Sequence, residues 1–166
     1  MIKTTAFFPG SFNPFTTGHL DILSRALRVF DRVILGVGYN VNKIDPEVAK
    51  SGAMRAAENL RSLFDGIDRV GVTTYSDLTV EAARREEAGV IIRGFRNSID
   101  AEYERQLAAT NLLISDGGID TWLIAARPEF ECVSSSMVRE LQHFNKDASQ
   151  FLPTHQDCIN TLKSNR

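Results

Sequence analysis

The sequence predicts an α/β protein, a single domain over residues 1–166 built on a Rossmann-like, doubly wound sheet of five parallel strands. The length of 166 residues suits one domain. Short runs rich in β-branched and aromatic residues alternate with longer stretches of helical spacing. Strands separated in this way pair in parallel through right-handed crossovers. The chain has no internal repeat, low-complexity tract or linker that would indicate a second domain.

The first half of the chain supplies two strands and two helices. Residues 4–8 form a short apolar run that predicts the first strand, and residues 32–39 are continuously β-rich, which is typical of a strand buried on both faces. Residues 19–30 between them predict a helix with one apolar face, made by Leu20, Leu23, Leu27 and Phe30. Residues 40–50 are interpreted as a polar loop, after which Ser51 is predicted to cap a helix with the apolar positions Met54, Ala57, Leu60 and Phe64.

The second half continues the alternation and completes the sheet. The predicted strands are residues 68–75, 89–94 and 120–126. The predicted helices are residues 78–88, 98–114 and 134–144, and a last short helix after residue 157. Glycines at 117 and 118 predict a turn before the final strand.

Composition limits the classes of partner. The net charge of −2 argues against general nucleic-acid binding, which needs a basic surplus. The two cysteines, Cys132 and Cys158, have no paired spacing, which fits a reducing compartment. We find no signal peptide and no apolar stretch near the ~20 residues of a membrane span. We therefore expect a cytoplasmic protein that binds neither nucleic acid nor membrane.

Chemically distinctive residues fall where the predicted strands end. They lie in the loop before His19, in the loop that holds Lys43, and in the stretch Arg93 to Arg96. Ligands of doubly wound sheets bind at this carboxyl edge. Helix N-termini at Gly18-His19 and at residues 134–136 would attract phosphates, and the basic side chains add full charges. The pattern predicts a ligand with several phosphates.

Each of these features also has a structural interpretation. The histidine at the helix start can be structural, the serines can simply cap a helix, Lys43 can be a solvated charge, and Arg93 and Arg96 can pair with Asp100 and Glu104. The phosphate-binding hypothesis is favoured because these features fall at the same sheet edge, which would be a coincidence if every one of them were only structural. No group of residues has metal-ligand spacing, and no triad, P-loop or G-x-G-x-x-G motif is present.

Three motifs carry a family resemblance. T-T-G-H, ending at His19, resembles the T/H-x-G-H signature of nucleotidylyltransferases. The blocks IIRGFR…DAEYERQLA and VSSSMVREL are more specific, and from Thr5 to about Pro153 the chain resembles the bacterial phosphopantetheine adenylyltransferases. The resemblance implies transfer of an adenylyl group from ATP to 4'-phosphopantetheine, with dephospho-coenzyme A and pyrophosphate as products. It also implies a homohexamer and Mg²⁺ that arrives with ATP, without a dedicated protein metal site.

The resemblance assigns roles residue by residue. It implies that His19 and Lys43 are catalytic. It places on the nucleotide Ser11, Phe12, His19, Gly94, Phe95, Arg96, Glu104, Phe130, Glu131, Cys132, Val133, Ser134, Ser135 and Ser136. It places on the phosphopantetheine Ser11, Lys43, Thr79 and Arg93. The chain departs from the family pattern at Gly52, where an acidic residue is usual, at Phe130, where tryptophan is common, and at His143, where arginine is common.

Two other functions remain open on the sequence. One is nucleotidyl transfer to a different acceptor, such as nicotinamide mononucleotide or glycerol phosphate, against which the RGFR and EYE blocks argue. The other is a non-catalytic nucleotide-binding module on the same fold, which would bind ATP and release no pyrophosphate.

Overall fold

The computed structural model describes residues 4–41 and 45–163 and contains the predicted parallel sheet. Its strands are β1 (Thr5–Gly10), β2 (Arg32–Gly38), β3 (Val70–Tyr75), β4 (Val90–Phe95) and β5 (Asp120–Ala125). The order across the sheet is β3-β2-β1-β4-β5, and every pairing is parallel. The chain therefore winds one way from β1 to β3 and the other way from β4 to β5. The crevice for a ligand lies where this direction reverses, at the carboxyl ends of β1 and β4.

Helices cover both faces of the sheet. They are α1 (Thr17–Ala26), α2 (Pro46–Leu63), α3 (Thr79–Arg85), α4 (Ser98–Ile114), α5 (Ser135–His143) and α6 (His155–Lys163), with short 3₁₀ turns at Pro128–Phe130 and Ser149–Phe151. Within the described ranges, no helix combines the length and the apolar character that a membrane crossing requires.

The central strand β1 is buried on both faces because its alternate side chains enter different apolar clusters. Phe8 packs in the larger cluster, with residues of α1, α2 and α6, whereas Phe7 packs in a smaller cluster with residues of α3. Neighbouring strands contribute in the same alternating way, which explains the continuous apolar run seen in β2. This double burial anchors the loop that leaves β1 and carries the site.

The predicted start of α2 is wrong. The helix begins at Pro46, after Asp45, whose Oδ1 accepts a hydrogen bond from the backbone N–H of Val48 at 3.1 Å. Aspartate as the N-cap followed by proline at the first helical position is a strong start signal, because proline has no N–H to leave unpaired. Ser51 is an exposed residue inside the helix rather than its cap.

Other boundaries differ by smaller amounts. Helix α1 begins at Thr17 and ends at Ala26, so the residues up to Phe30 that were predicted to continue it form turns. Helix α6 begins at His155, inside the stretch that was interpreted as a loop. Helix α4 has the predicted bounds.

Candidate active site

A cavity of about 450 Å³ opens at the carboxyl ends of β1 and β4. The loop after β1, the first turn of α1, the β4–α4 junction and the start of α5 form its walls. Most of the predicted site residues line it, namely Ser11, Phe12, His19, Arg93, Gly94, Phe95, Arg96, Glu104, Phe130, Val133, Ser134, Ser135 and Ser136. The structure thus brings together at one edge the loop before His19, the stretch Arg93 to Arg96 and the serines at 134–136.

His19 occupies the third position of α1 and takes part in the cap of that helix. Thr16 is the N-cap residue, and its backbone N–H donates to Nδ1 of His19 at 3.0 Å. The backbone N–H of His19 in turn donates to the Thr16 hydroxyl at 3.4 Å. This is a capping box in which histidine stands where glutamate or glutamine is usual. The histidine therefore sits at the helix start for a structural reason as well as a chemical one.

The cap determines which ring nitrogen of His19 can act on a ligand. A backbone N–H can only donate, so Nδ1 is an acceptor and the proton of the neutral ring is on Nε2. Burial, and then the positive charges of Arg96 and Arg93, lower the pKa of His19 from 6.5 to about 4. The ring is consequently uncharged at neutral pH and carries one N–H donor that no described residue occupies.

Aromatic rings fix the orientation of the His19 imidazole. The centroids of Phe12 and Phe15 each lie 5.3 Å from that of His19. Phe12 has a φ of +44°, in the left-handed region. A Cβ at Gly10 would lie 2.9 Å from atoms of the Phe12 ring, so glycine is required for the ring to reach this place. Phe12, predicted to contact the nucleotide, thus also serves as a wall that holds the histidine.

Arg93 is held in a bidentate ion pair on the cavity wall. Its Nε lies 2.6 Å from Oε2 of Glu104 and its Nη2 lies 2.7 Å from Oε1. Its Nη1 donates to the carbonyl of Pro9 at 3.1 Å. The Glu104 side chain is only 9% exposed. The structural interpretation of Arg93 is therefore correct in this state, and the same contacts aim the guanidinium at the cavity.

Arg96 makes a looser pair with Asp100, one turn along α4. The Nε–Oδ2 distance is 2.9 Å, and the side chains are 38% and 29% exposed. Because this pair is exposed, it contributes little to stability, and Arg96 can exchange its partner for a ligand oxygen at low cost.

The third wall is the start of α5. Ser134 is the N-cap, and its hydroxyl accepts from the backbone N–H of Met137 at 3.1 Å. The Ser135 hydroxyl donates to the carbonyl of Pro14 at 2.7 Å, which ties α5 to the loop before α1. Two helix N-termini therefore face one cavity, and both favour negative charge.

Some predicted site residues lie elsewhere or beyond the described part of the chain. Glu131 and Cys132 are exposed and do not line the cavity, whereas Phe130 and Val133 on either side of them do. Thr79 also lies off the cavity wall, where its hydroxyl is 3.2 Å from that of Tyr75. Lys43 lies outside the described residues.

The sequence reasoning missed several lining residues of the cavity, among them two polar side chains, Arg139 and Tyr103. Arg139 lines it and donates to the carbonyl of Asn13, and Tyr103 lines it from α4. Both had a signal in the sequence, since Arg139 follows Ser135, and Tyr103 follows Asp100, by about one helical turn. Residues one turn apart on a helix share a face.

Comparison with known proteins settles the family. The cytidylyltransferase-like family model matches residues 7–141. The phosphopantetheine adenylyltransferase of Bacteroides thetaiotaomicron is 42% identical over 148 residues, which cover 89% of this chain and 94% of the relative. The chain belongs to the phosphopantetheine adenylyltransferase family. Another member, from Oenococcus oeni, is 38% identical over 164 residues and 99% of each chain.

Two solved structures share the fold of this chain. A bifunctional NMN adenylyltransferase/ADP ribose pyrophosphatase from Francisella tularensis superposes with a TM-score of 0.60 at 16% identity, over 98% of this chain and 50% of that one. A Vibrio parahaemolyticus protein assigned as a nicotinate-nucleotide adenylyltransferase gives a TM-score of 0.61 at 17% identity, over 96% and 93%. These likenesses support the Rossmann-like fold.

Proposed function

We propose that the chain transfers the adenylyl group of ATP to 4'-phosphopantetheine, giving dephospho-coenzyme A and pyrophosphate. The observation that carries this proposal is the Nε2–H donor of an uncharged His19 on the wall of a cavity that Arg93 and Arg96 also line. The acceptor, 4'-phosphopantetheine, is inferred from the names of relatives that are about 40% identical over most of the chain.

The reaction needs no covalent enzyme intermediate. An oxygen of the acceptor phosphate attacks the α-phosphorus of ATP, and the bond from that phosphorus to the bridging oxygen of the β-phosphate breaks, so pyrophosphate leaves with the electron pair. Negative charge builds on the oxygens around the α-phosphorus. A neutral His19 donates to these oxygens, and the N–H groups at the start of α1 supplement it. The protein thus contributes positioning and electrostatic stabilisation.

The nucleotide half of the cavity is proposed to be built by the loop after β1, by the β4–α4 junction and by the start of α5. Arg96 and the serines at the N-terminus of α5 carry the charge and the N–H groups that suit the departing β- and γ-phosphates. Phe130 offers an aromatic face to the base, although its area is smaller than that of the more usual tryptophan.

The phosphopantetheine half is proposed to depend on Arg93, Lys43 and Thr79. Arg93 is preorganised by Glu104 and Pro9, so it loses little side-chain freedom on binding a phosphate. Lys43 follows β2 in the sequence, and β2 pairs with β1; Lys43 is proposed to reach both phosphates. Thr79 begins α3, beyond the end of β3.

Magnesium is proposed to arrive with ATP and to neutralise charge on its phosphates. Within residues 4–41 and 45–163, no group of three His, Cys, Asp or Glu side chains could hold a metal ion. A hydrated Mg²⁺ on phosphate oxygens does not require such a group. The residues described are therefore compatible with a metal that the substrate brings.

Assembly as a cytoplasmic homohexamer is part of the proposal. Helix α4 has only Glu104 buried, whereas Ile99, Leu112, Leu113 and Ile114 are exposed on it. An apolar surface of this kind is typical of an interface. Light scattering would test the assembly, with the hexamer mass as the expected result and a monomer at micromolar concentration as the result against it.

The function is tested by pyrophosphate release with a matrix of substrates. ATP with 4'-phosphopantetheine should release pyrophosphate and form dephospho-coenzyme A, whereas CTP or the acceptors nicotinamide mononucleotide and glycerol phosphate should give little. Preference for another acceptor would replace the proposed substrate. Binding of ATP with no release under any combination would favour a non-catalytic module.

A further inference from the structure

Two carboxylate side chains are buried among the described residues, and the proposed mechanism uses only one of them. Glu104 holds Arg93, whereas Asp21, two residues after His19 on α1, is only 6% exposed and touches no proposed ligand. A buried carboxylate is costly to desolvate unless charged partners compensate it. The partners of Asp21 therefore indicate what it does.

Asp21 joins α1 to the segment that follows β5. Its Oδ2 accepts from Nη1 of Arg25 at 3.1 Å, and its Oδ1 lies 3.3 Å from Nε of Arg127. The same Nη1 of Arg25 donates to the carbonyl of Ala125, the last residue of β5, at 2.7 Å. Asp21 and Arg25 therefore hold the segment after β5 at two points, Ala125 and Arg127.

The segment held in this way lines the cavity. Ala126, Phe130 and Val133 are on its wall, and Arg127 is the N-cap of the 3₁₀ turn that carries Phe130. A Cβ at Gly18 would lie 3.8 Å from Cβ of Phe130 and 3.8 Å from the carbonyl oxygen of Val133. The segment therefore packs directly on the first turn of α1, beside His19.

We propose that Asp21 is a positioning residue that, through Arg127, holds residues 126–133 against the helix that bears His19 and so sets the affinity for the nucleotide. The inference rests on the proposed function, because it takes this wall to be the nucleotide half of the cavity. Helix α1 then does two things within one turn: it presents the Nε2 donor, and it fixes the wall against which the nucleotide lies.

The test compares Asp21→Asn, Arg127→Gln and the double variant, with Arg127→Lys as the conservative replacement and Arg61→Gln as the control. Arg61 is an exposed arginine whose guanidinium donates to the carbonyl of Val72, outside the cavity. Calorimetry gives the dissociation constants of ATP and of 4'-phosphopantetheine separately. Hydrogen exchange is followed at the amides of Phe130 and Val133, which donate to Arg127 and Phe130 carbonyls.

Arg127→Gln should lower the affinity for ATP about 5- to 20-fold, as expected for loss of one charged contact, and leave the affinity for 4'-phosphopantetheine within about twofold. Asp21→Asn, which also weakens the contact with Arg25, should lower the affinity for ATP at least as much and likewise spare 4'-phosphopantetheine. The double variant should bind ATP no more weakly than the weaker-binding single variant, because both substitutions remove the same Asp21–Arg127 contact. Arg127→Lys should recover most of the ATP affinity, and the amides of Phe130 and Val133 should exchange faster in the weakened variants. Arg61→Gln should resemble the unaltered chain in every measurement.

Three results would overturn the inference: equal losses for both ligands, additive losses in the double variant, or faster exchange without loss of ATP affinity. Because Arg127 is exposed, its variants should fold and give binding constants even if Asp21→Asn folds poorly. The readout is binding, so it does not depend on transfer. A chain that binds ATP as described but forms no dephospho-coenzyme A would refute the proposed acceptor and leave the role of Asp21 standing.

Discussion

Two ion pairs join the β4 region to α4, and comparing them tests how burial affects the contribution of an ion pair to stability. Arg93–Glu104 and Arg96–Asp100 have the same chemistry, but the carboxylates are 9% and 29% exposed. Glu104→Gln keeps the shape and places an NH₂ group against a guanidinium N–H, so one contact is lost and Arg93 stays desolvated. Breaking a buried pair by removing one partner costs about 3–5 kcal/mol in the free energy of unfolding.

The expected shift in melting temperature follows from chain size. Arg93 keeps its contact with the Pro9 carbonyl and is 25% exposed, so we take the lower figure of about 3 kcal/mol. At roughly 2–4 °C per kcal/mol for a chain of this length, Glu104→Gln should melt about 6–12 °C lower. Asp100→Asn breaks a more exposed pair that contributes about 1 kcal/mol or less to the free energy of unfolding. Its melting temperature should lie within about 4 °C of that of the unaltered chain.

Thermal unfolding of both variants at one protein concentration measures this difference. Equal concentration matters because self-association raises the apparent stability. If both variants melt within about 2 °C of the unaltered chain, the Arg93–Glu104 pair does not hold the site together as the structure indicates. If Asp100→Asn is the more damaging change, burial is the wrong criterion for ranking the two pairs.

Three further predictions concern the basic residues of the site. The pKa of His19 is lowered to about 4, so between pH 6.5 and about 4 the unfolded chain binds a proton that the folded chain does not. The free energy of unfolding should therefore decrease as the pH falls over that range. In an NMR titration, the His19 ring signals should not change near pH 6.5. Lys43→Ala should leave the melting temperature within about 2 °C and severely reduce transfer; a sharp loss of stability with normal activity per folded molecule would make Lys43 structural. Arg93→Lys should lower the affinity for 4'-phosphopantetheine more than that for ATP, and Arg96→Lys should do the reverse, because lysine cannot bind phosphate oxygens with two N–H groups at once. If calorimetry shows equal losses of affinity for both ligands in both variants, the two arginines only support the structure.

The alternation of elements could be predicted because strand and helix periodicities differ and the intervening stretches are long. The parallel pairing followed from the crossover rule, and the place of the site from the rule that ligands bind at the carboxyl edge, whereas the order of the strands was not predicted. The start of α2 was missed because Pro46 was taken as a loop residue, although Asp-Pro is also a helix start. Helix boundaries near proline depend on which of these two roles it has.

The dual roles of the site residues could not be predicted from spacing. The sequence offered a structural role and catalysis as alternatives for His19, yet the ring caps α1 through Nδ1 and leaves Nε2 for a ligand. Arg93 was treated as either an ion-pair partner or a ligand group, whereas the pair with Glu104 is what orients it. Asp21 carried no motif, and only its burial and its contact with Arg127 distinguish it.

The measurement that most directly tests the account is the steady-state kinetics of His19→Ala with ATP and 4'-phosphopantetheine. The account predicts that kcat falls on the order of 10²–10³-fold and that both KM values change far less, because the Nε2 donor acts on charge that develops in the transition state. Loss of the cap should lower the stability by about 1 kcal/mol, which leaves the variant folded at the assay temperature. A variant with near-normal kcat, or one whose whole defect lies in KM, would contradict the assignment of His19 as the group that stabilises adenylyl transfer.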